Sequence, residues 1–447
     1  MINLYEDPDW SQKDLEGAVS DARKHVIKNK LCCFTGERLK YYEKEIWQRH
    51  LEGHKLAFTD LWGLILESMF HDEPDPHKLS DQRRAVNLGQ NPLPIYLALN
   101  VRERYSTLDF KEWLEFTPYE VGFLKYGAFV KAEDFGSEFY MGRLMKKIPE
   151  SRLSFLQGMW SNIFSQSVLD ALYLSNCSED FWHRWTRDRV VDIDQSTEPY
   201  VQSTCLFIPN GSLSKLLRDV ITMRPVLSHY YDFKRGLHMN NKYLENERFC
   251  MWKDSVPDSF PNELSDFPEY LELTDTAFFI NTSCPPLLRP ERKVDIILHL
   301  NYSGGSQTLP LDLAAKYYAE QHIPFPKVVL TEEDRKHLKE CYLFDEGESP
   351  RAPILLYFPL VCDTFQKYKA PGVERSPSEM EDGQLDVSSI VFTPYANSMV
   401  QFSEKNFNKL FNLSNYNILN NEHLILQALR TAIERKKQQK RQSQFPC

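Results

Sequence analysis

Residues 273–300 read Leu-Thr-Asp-Thr-Ala-Phe-Phe-Ile-Asn-Thr-Ser-Cys-Pro-Pro-Leu-Leu-Arg-Pro-Glu-Arg-Lys-Val-Asp-Ile-Ile-Leu-His-Leu. A short apolar run ends at an acidic residue, Asp275. A Pro-rich turn follows with two arginines, Arg289 and Arg292, and residues 294–300 then form an apolar run of buried-strand length. Similar runs stand at 270–274 and 354–360, and residues 312–321 carry helical spacing between them. Buried strands alternating with helices predict an α/β fold: a central, mostly parallel sheet with flanking helices.

The first ninety residues predict helices at 14–28, 38–50 and 61–70, the last capped by Asp60, with Ser80 opening another. The texture changes at Gln90-Asn91-Pro92-Leu93-Pro94, after which 95–99 and 113–116 read as strands. Residues 117–142, dense in Gly, Tyr and Phe, read as long ordered loops. Helices are expected at 153–164 and 213–223, an exposed acidic loop at 375–386, and a last helix at 422–439. We expect residues 1–433 to form one domain and 434–447 a basic tail.

The 447 residues are 42% hydrophobic and 26% charged, enough to bury a sizeable core. The 28 Phe, 22 Tyr and 8 Trp serve core packing or, for some, an acyl-chain site. A net charge of −10 argues against nucleic acid as a general partner. No apolar run approaches the roughly 18–20 residues of a membrane span, and residues 1–7 lack the hallmarks of a signal peptide. The nine cysteines are odd in number and contain no Cys-x-x-Cys. That fits reduced thiols in the cytosol better than a disulfide frame or a zinc site. Of twelve histidines only His50 and His54 share helical spacing, and they lack a third ligand, so no metal or other cofactor is expected.

An aspartate at a strand end in an α/β sheet is placed where active sites gather, although turns and caps use the same residue. As a general base, Asp275 would need a serine hydroxyl within hydrogen-bond reach, whose proton it accepts as the oxygen attacks an ester. Arg292 offers a guanidinium suited to a phosphate, or equally to an ion pair with Glu291, Asp295 or another carboxylate. Arg289 reads as structural. Arg435, Lys436, Lys437, Lys440 and Arg441 follow apolar positions Leu424, Leu426, Leu429 and Ile433. Such a cluster is drawn to anionic lipid by about 1 kcal/mol per charge, or it simply solvates a helix end where cations suit the dipole.

Asn281, Pro285-Pro286, Leu288-Arg289-Pro290 and Arg292-Lys293-Val294-Asp295 surround Asp275 in an order and spacing that belong together. Further motifs run through the chain: Leu4-Tyr5-Glu6-Asp7-Pro8-Asp9-Trp10, Asp60-Leu61-Trp62-Gly63, Gly89-Gln90-Asn91-Pro92, Phe135-Gly136-Ser137-Glu138-Phe139, Leu156-Gln157-Gly158-Met159-Trp160 and Tyr416-Asn417-Ile418-Leu419-Asn420-Asn421. On these the chain resembles the catalytic domain of the cytosolic, group IV phospholipases A2, in their beta, delta, epsilon and zeta branch. The resemblance implies an α/β domain with a cap over the site, Asp275 as base of a Ser/Asp dyad, and Arg292 facing the substrate phosphate. It implies hydrolysis or transfer of fatty acyl groups of glycerophospholipids, with peripheral contact to anionic membrane lipid. Calcium would enter only through a C2 domain, which this sequence does not contain. The family's serine stands in Gly-x-Ser-Gly-Ser on a sharp strand-to-helix elbow. Ser137, Ser212, Ser303 and Ser306, the serines beside glycine, do not fit that pattern. The expectation is an N-terminally shortened chain whose elbow would lie before Met1. Such a chain is inactive alone, and missing central strands leave an apolar sheet edge open to self-association. The alternative is a non-catalytic, membrane-lipid-binding form that acts through the basic tail.

Overall fold

The structure is a computed structural model that describes residues 2–101, 112–162, 227–237, 239–240, 264–265, 267–289, 291–302, 306–346, 352–387, 393–395 and 401–444. The helix expected at 213–223 lies outside them. The chain divides into two compact units, Met1–Phe279 and Ile280–Cys447.

The first unit opens with α1 (Glu16–Ile27), α2 (Gly36–Leu51) and α3 (Phe58–Phe70). α3 is apolar almost all round, and nearly every residue of it is buried, as that composition requires. Of its two buried acids, Asp60 and Glu67, the latter accepts hydrogen bonds from Arg152 at 2.6 Å and the Tyr41 hydroxyl at 2.7 Å. The strands are β1 (Tyr96–Val101), β2 (Glu112–Phe116), β3 (Glu120–Phe123), β4 (Ala128–Lys131), β5 (Glu138–Tyr140), β6 (Arg143–Lys146), β7 (Ser228–Tyr231), β8 (Met239–Asn240), β9 (Leu264–Ser265) and β10 (Tyr270–Thr274). They form a six-stranded sheet in the order β4-β3-β2-β1-β10-β7 and two small hairpin sheets, β5-β6 and β8-β9. α4 (Leu153–Trp160) lies over β1 and β10, and a core of Leu114, Phe116, Phe123, Leu156, Met159, Leu271 and Leu273 fills the space.

The second unit holds β11 (Ile296–Asn301), α5 (Leu309–Glu320), α6 (Glu332–Lys336), β12 (Tyr342–Phe344), β13 (Ile354–Pro359), a hairpin of β14 (Tyr368–Ala370) and β15 (Val373–Glu374), α7 (Glu404–Asn420) and α8 (Glu422–Gln444). Its three-stranded sheet runs β11-β13-β12. α8 covers β13, setting Leu424, Ile425, Ala428 and Ala432 against Ile354, Leu356 and Phe358.

Both units mix helices with sheets, as the α/β expectation required. The mostly parallel sheet is corrected: among the described residues parallel pairing occurs only between β11 and β13, and every pair of the six-stranded sheet is antiparallel. Parallel neighbours need a long crossover; residues 302–353, carrying α5, supply one, whereas β2, β3 and β4 follow one another through turns of three or four residues. The loops expected at 117–142 contain three strands, β3, β4 and β5, too short to show a period. The helix expected at 422–439 runs on to Gln444, unbroken through residue 433. Among the described residues no helix is long and apolar enough to cross a membrane.

Candidate active site

Asp275 stands directly after β10, one strand in from the edge of the six-stranded sheet, with Leu99 paired to Thr274 on one side and Leu273 to Ser228 on the other. It is buried and caps the 3-10 turn Thr276–Phe278: its Oδ1 accepts the Ala277 N–H at 2.9 Å. A carboxylate held this way has a fixed rotamer, an arrangement that suits a base acting on one defined hydroxyl.

Asn162 holds the peptide behind it. This fully buried residue follows α4, and its Oδ1 accepts the Asp275 N–H at 3.1 Å. Its Nδ2 lies 3.4 Å from the Thr274 hydroxyl. The sequence reading missed Asn162, which is 113 residues away from Asp275. The only available signal was its place two residues after the Leu156–Trp160 motif.

α4 reaches this position because two glycines let it press on α3. A Cβ at Gly158 would lie 2.2 Å from the Thr59 carbonyl oxygen, and one at Gly63 would lie 2.4 Å from that of Ser154. β7 is pinned by a buried ion pair. The Arg49 Nε donates to Asp60 Oδ1 at 2.7 Å, its Nη1 to Ser151 Oγ at 2.9 Å and its Nη2 to the Tyr230 hydroxyl at 3.3 Å. Asp60 is not the cap that the sequence suggests for a helix from Leu61: α3 begins at Phe58 with Ala57 as its N-cap, and Asp60, inside the first turn, accepts the Ala57 N–H through Oδ2 at 2.7 Å.

Arg292 belongs to the second unit. It is half-buried, and its Nη1 donates to the Pro286 carbonyl at 2.7 Å, closing the Pro-rich turn on itself. Glu291 lies 3.7 Å from Arg289 Nε, and Asp295 lies 2.6 Å from Lys436 Nζ. In the basic cluster, Arg435 donates to the Asp345 and Ala352 carbonyls, and Lys437 pairs with Glu434 at 2.6 Å. The apolar positions before the cluster are not one face. Leu424 turns into the core, while Leu426, Leu429 and Ile433 form an exposed stripe at i, i+3, i+7 spacing.

Neither described serine beside glycine is placed as a nucleophile. Ser137 is fully buried, its hydroxyl bonded to the Ile148 backbone, and Ser306 caps α5 by accepting the Leu309 N–H at 3.1 Å. Ser212 and Ser303 lie outside the described residues. His54 is buried, and its dry surroundings together with the nearby Arg49 push its pKa down to about 2. Among the described residues, Glu6, Asp75 and His77 bring ligand-type atoms within 4.8 Å of one another, with His77 Nδ1 at 2.6 Å from Asp75 Oδ1. That short contact makes them a hydrogen-bonded imidazole–carboxylate pair.

Residues 2–205 match the lysophospholipase catalytic domain. The chain is 51% identical to human cytosolic phospholipase A2 epsilon over 450 residues, which cover 99% of this chain and 52% of that protein. It is 43% identical to human cytosolic phospholipase A2 beta, over 98% of this chain and 56% of that one. The solved structure of human GIVD cytosolic phospholipase A2 superposes with a TM-score of 0.83 at 44% identity, covering 97% of this chain and 57% of that chain. The chain thus carries the fold of a phospholipase catalytic domain and belongs to the cytosolic phospholipase A2 family. It spans about half the length of the curated relatives it matches.

Proposed function

We propose that this chain contributes the base half of a Ser/Asp dyad that cleaves or transfers fatty acyl groups of glycerophospholipids. The observation that carries this reading is the position of Asp275: buried, at a strand end, its rotamer set by Ala277 and its peptide by Asn162. The serine would attack the ester carbonyl as Asp275 accepts its proton, and Arg292 would meet the substrate phosphate. No serine of these 447 residues stands in Gly-x-Ser-Gly-Ser, so the nucleophile of this reading is one the chain does not itself supply. The relatives are named cytosolic, and we place this chain in the cytosol with peripheral contact to membranes.

The test is fatty-acid release from phospholipid vesicles. The 447-residue chain alone should release none. Joined to a Gly-x-Ser-Gly-Ser segment of the family it should, and Asp275→Asn should then lower the rate by about 10²–10⁴-fold, the usual contribution of a general base. Release that Asp275→Asn leaves intact would remove Asp275 from the chemistry.

A second reading has its own support. The exposed stripe of Leu426, Leu429 and Ile433 runs toward Lys436, Lys437, Lys440 and Arg441 on one helix, an amphipathic arrangement suited to an anionic membrane surface. A non-catalytic form would bind lipid through residues 434–447. Flotation with anionic vesicles should then fall when the five cations from Arg435 to Arg441 are neutralised, and unchanged flotation sinks it.

A further inference from the structure

The β5-β6 hairpin is a sheet of its own, and its tip is greasier than a water-facing turn requires. Tyr140 is 50% exposed, Met141 61%, Leu144 44% and Met145 64%, and every residue of β6 faces solvent. Surface apolar residues normally stand singly; here four fall within six residues of one hairpin. The turn is Tyr140-Met141-Gly142-Arg143, with φ of 50° at Met141 and 74° at Gly142. Two central residues at positive φ are the mark of a type I′ hairpin, which favours Asn-Gly. Methionine is a poor choice for that backbone, and although its Cγ lies beside Gly236, 61% of the residue stays exposed.

The base of the hairpin is firm. Phe139 packs against the main core, the Met141 N–H donates to the Arg235 carbonyl at 2.8 Å, and Ser137 and Ile148 bond across the open end. Cations stand at both its tip and its base. Arg143 is opposite Tyr140 in the ladder, Lys146 is 3.2 Å from Glu138, Lys147 pairs with Asp134, and Arg235 is 3.2 Å from Glu269. Exposed apolar side chains on a braced hairpin, with cations at its tip and base on a chain of net charge −10, suit a surface that is apolar inside and anionic outside.

We propose that the hairpin at residues 138–146 is a membrane-insertion element. Tyr140, Met141, Leu144 and Met145 enter the interfacial layer of a phospholipid bilayer, and Arg143, Lys146 and Lys147 meet anionic head groups. This rests on the lipid-directed reading above and adds where the first unit meets the lipid.

The test is sedimentation of the 447-residue chain with vesicles of phosphatidylcholine mixed with phosphatidylserine, and of phosphatidylcholine alone. Met141→Asn suits the turn better than methionine, so its unfolding midpoint should equal or exceed the parent's. Partitioning onto the mixed vesicles should nevertheless fall about tenfold, and further in Met141→Asn/Met145→Gln, as apolar area is withdrawn from the bilayer. Amide hydrogen exchange across residues 139–146 should slow when mixed vesicles are added to the parent. Partitioning unchanged in the folded double variant overturns the hairpin's role, as does capture by a protein partner with no vesicle binding. A parent chain that binds no vesicle overturns both this and the lipid-directed reading. Binding that depends on the hairpin, beside a complete failure of fatty-acid release in the serine-bearing form, removes the catalytic reading and leaves this one standing.

Discussion

Replacing Asn162 by alanine tests the site at its least obvious point. The Asn162 carboxamide accepts the Asp275 N–H at 3.1 Å and meets the Thr274 hydroxyl at 3.4 Å, with no exposure to water. Truncation leaves a buried N–H short of its acceptor, at a cost of about 1–3 kcal/mol. The Thr274 hydroxyl can turn to a new partner, so it adds little. Asn162→Asp keeps the acceptor and loses the Nδ2 donor, which separates the two contacts. It also sets a second carboxylate against Asp275, so its deficit should grow from pH 5 to 8. All eight tryptophans lie in the first unit, so urea unfolding followed by tryptophan fluorescence reports the right half of the chain. Asn162→Ala should lower the unfolding free energy by about 1–3 kcal/mol. In a serine-bearing form it should reduce kcat more than it raises KM, because the base loses its aim and the lipid contacts remain. A loss below about 0.5 kcal/mol, the range of ordinary surface substitutions, would refute the claim that Asn162 holds the base.

Other substitutions probe the scaffold. Gly158→Ala forces a methyl group into the Thr59 carbonyl and should cost about 3 kcal/mol, at the upper end of overpacking, measured by the same urea titration. Arg49→Met strands the Asp60 carboxylate and should cost about 3–5 kcal/mol, while Arg49→Met/Asp60→Leu should recover most of it; a double variant no better than the single would show that the charge is not the issue. Acid should weaken the fold from about pH 6.5 downward, above the ordinary carboxylate range. Burial lowers His54 to about 2, and His229 and His299 to about 4, against an ordinary 6.5. Each is neutral when folded and takes a proton on unfolding, so its stabilisation is whole above pH 6.5 and drains away as pH falls toward the folded value; His54→Leu should flatten the slope of urea midpoint against pH between 6.5 and 4. Leu298 and Leu300 are exposed on β11, which pairs only with β13 among the described residues. If that edge drives self-association, light scattering should show the parent larger than monomeric and Leu298→Lys/Leu300→Lys closer to it.

The sequence by itself determined the family and singled out Asp275 as the candidate base. Fixed spacings around Asp275, and motifs such as Asp60–Gly63 and Leu156–Trp160, are written in local order and needed no coordinates. β1, β2, β10, β11 and β13 were legible because each is an apolar run of strand length between turn residues. The strands at 120–140 were not, because three or four residues carry no measurable period. Tertiary structure alone decided the rest. Strand direction depends on which segments meet, so the antiparallel sheet could not be read from the runs that compose it. Leu424 and Leu426 look alike in sequence, yet the side of α8 that faces β13 buries one and leaves the other in water. Asn162 became part of the site only when two glycines let α4 close on α3 and delivered its end to the end of β10. A hydrogen bond that spans 113 residues is a property of packing, and no local pattern records it.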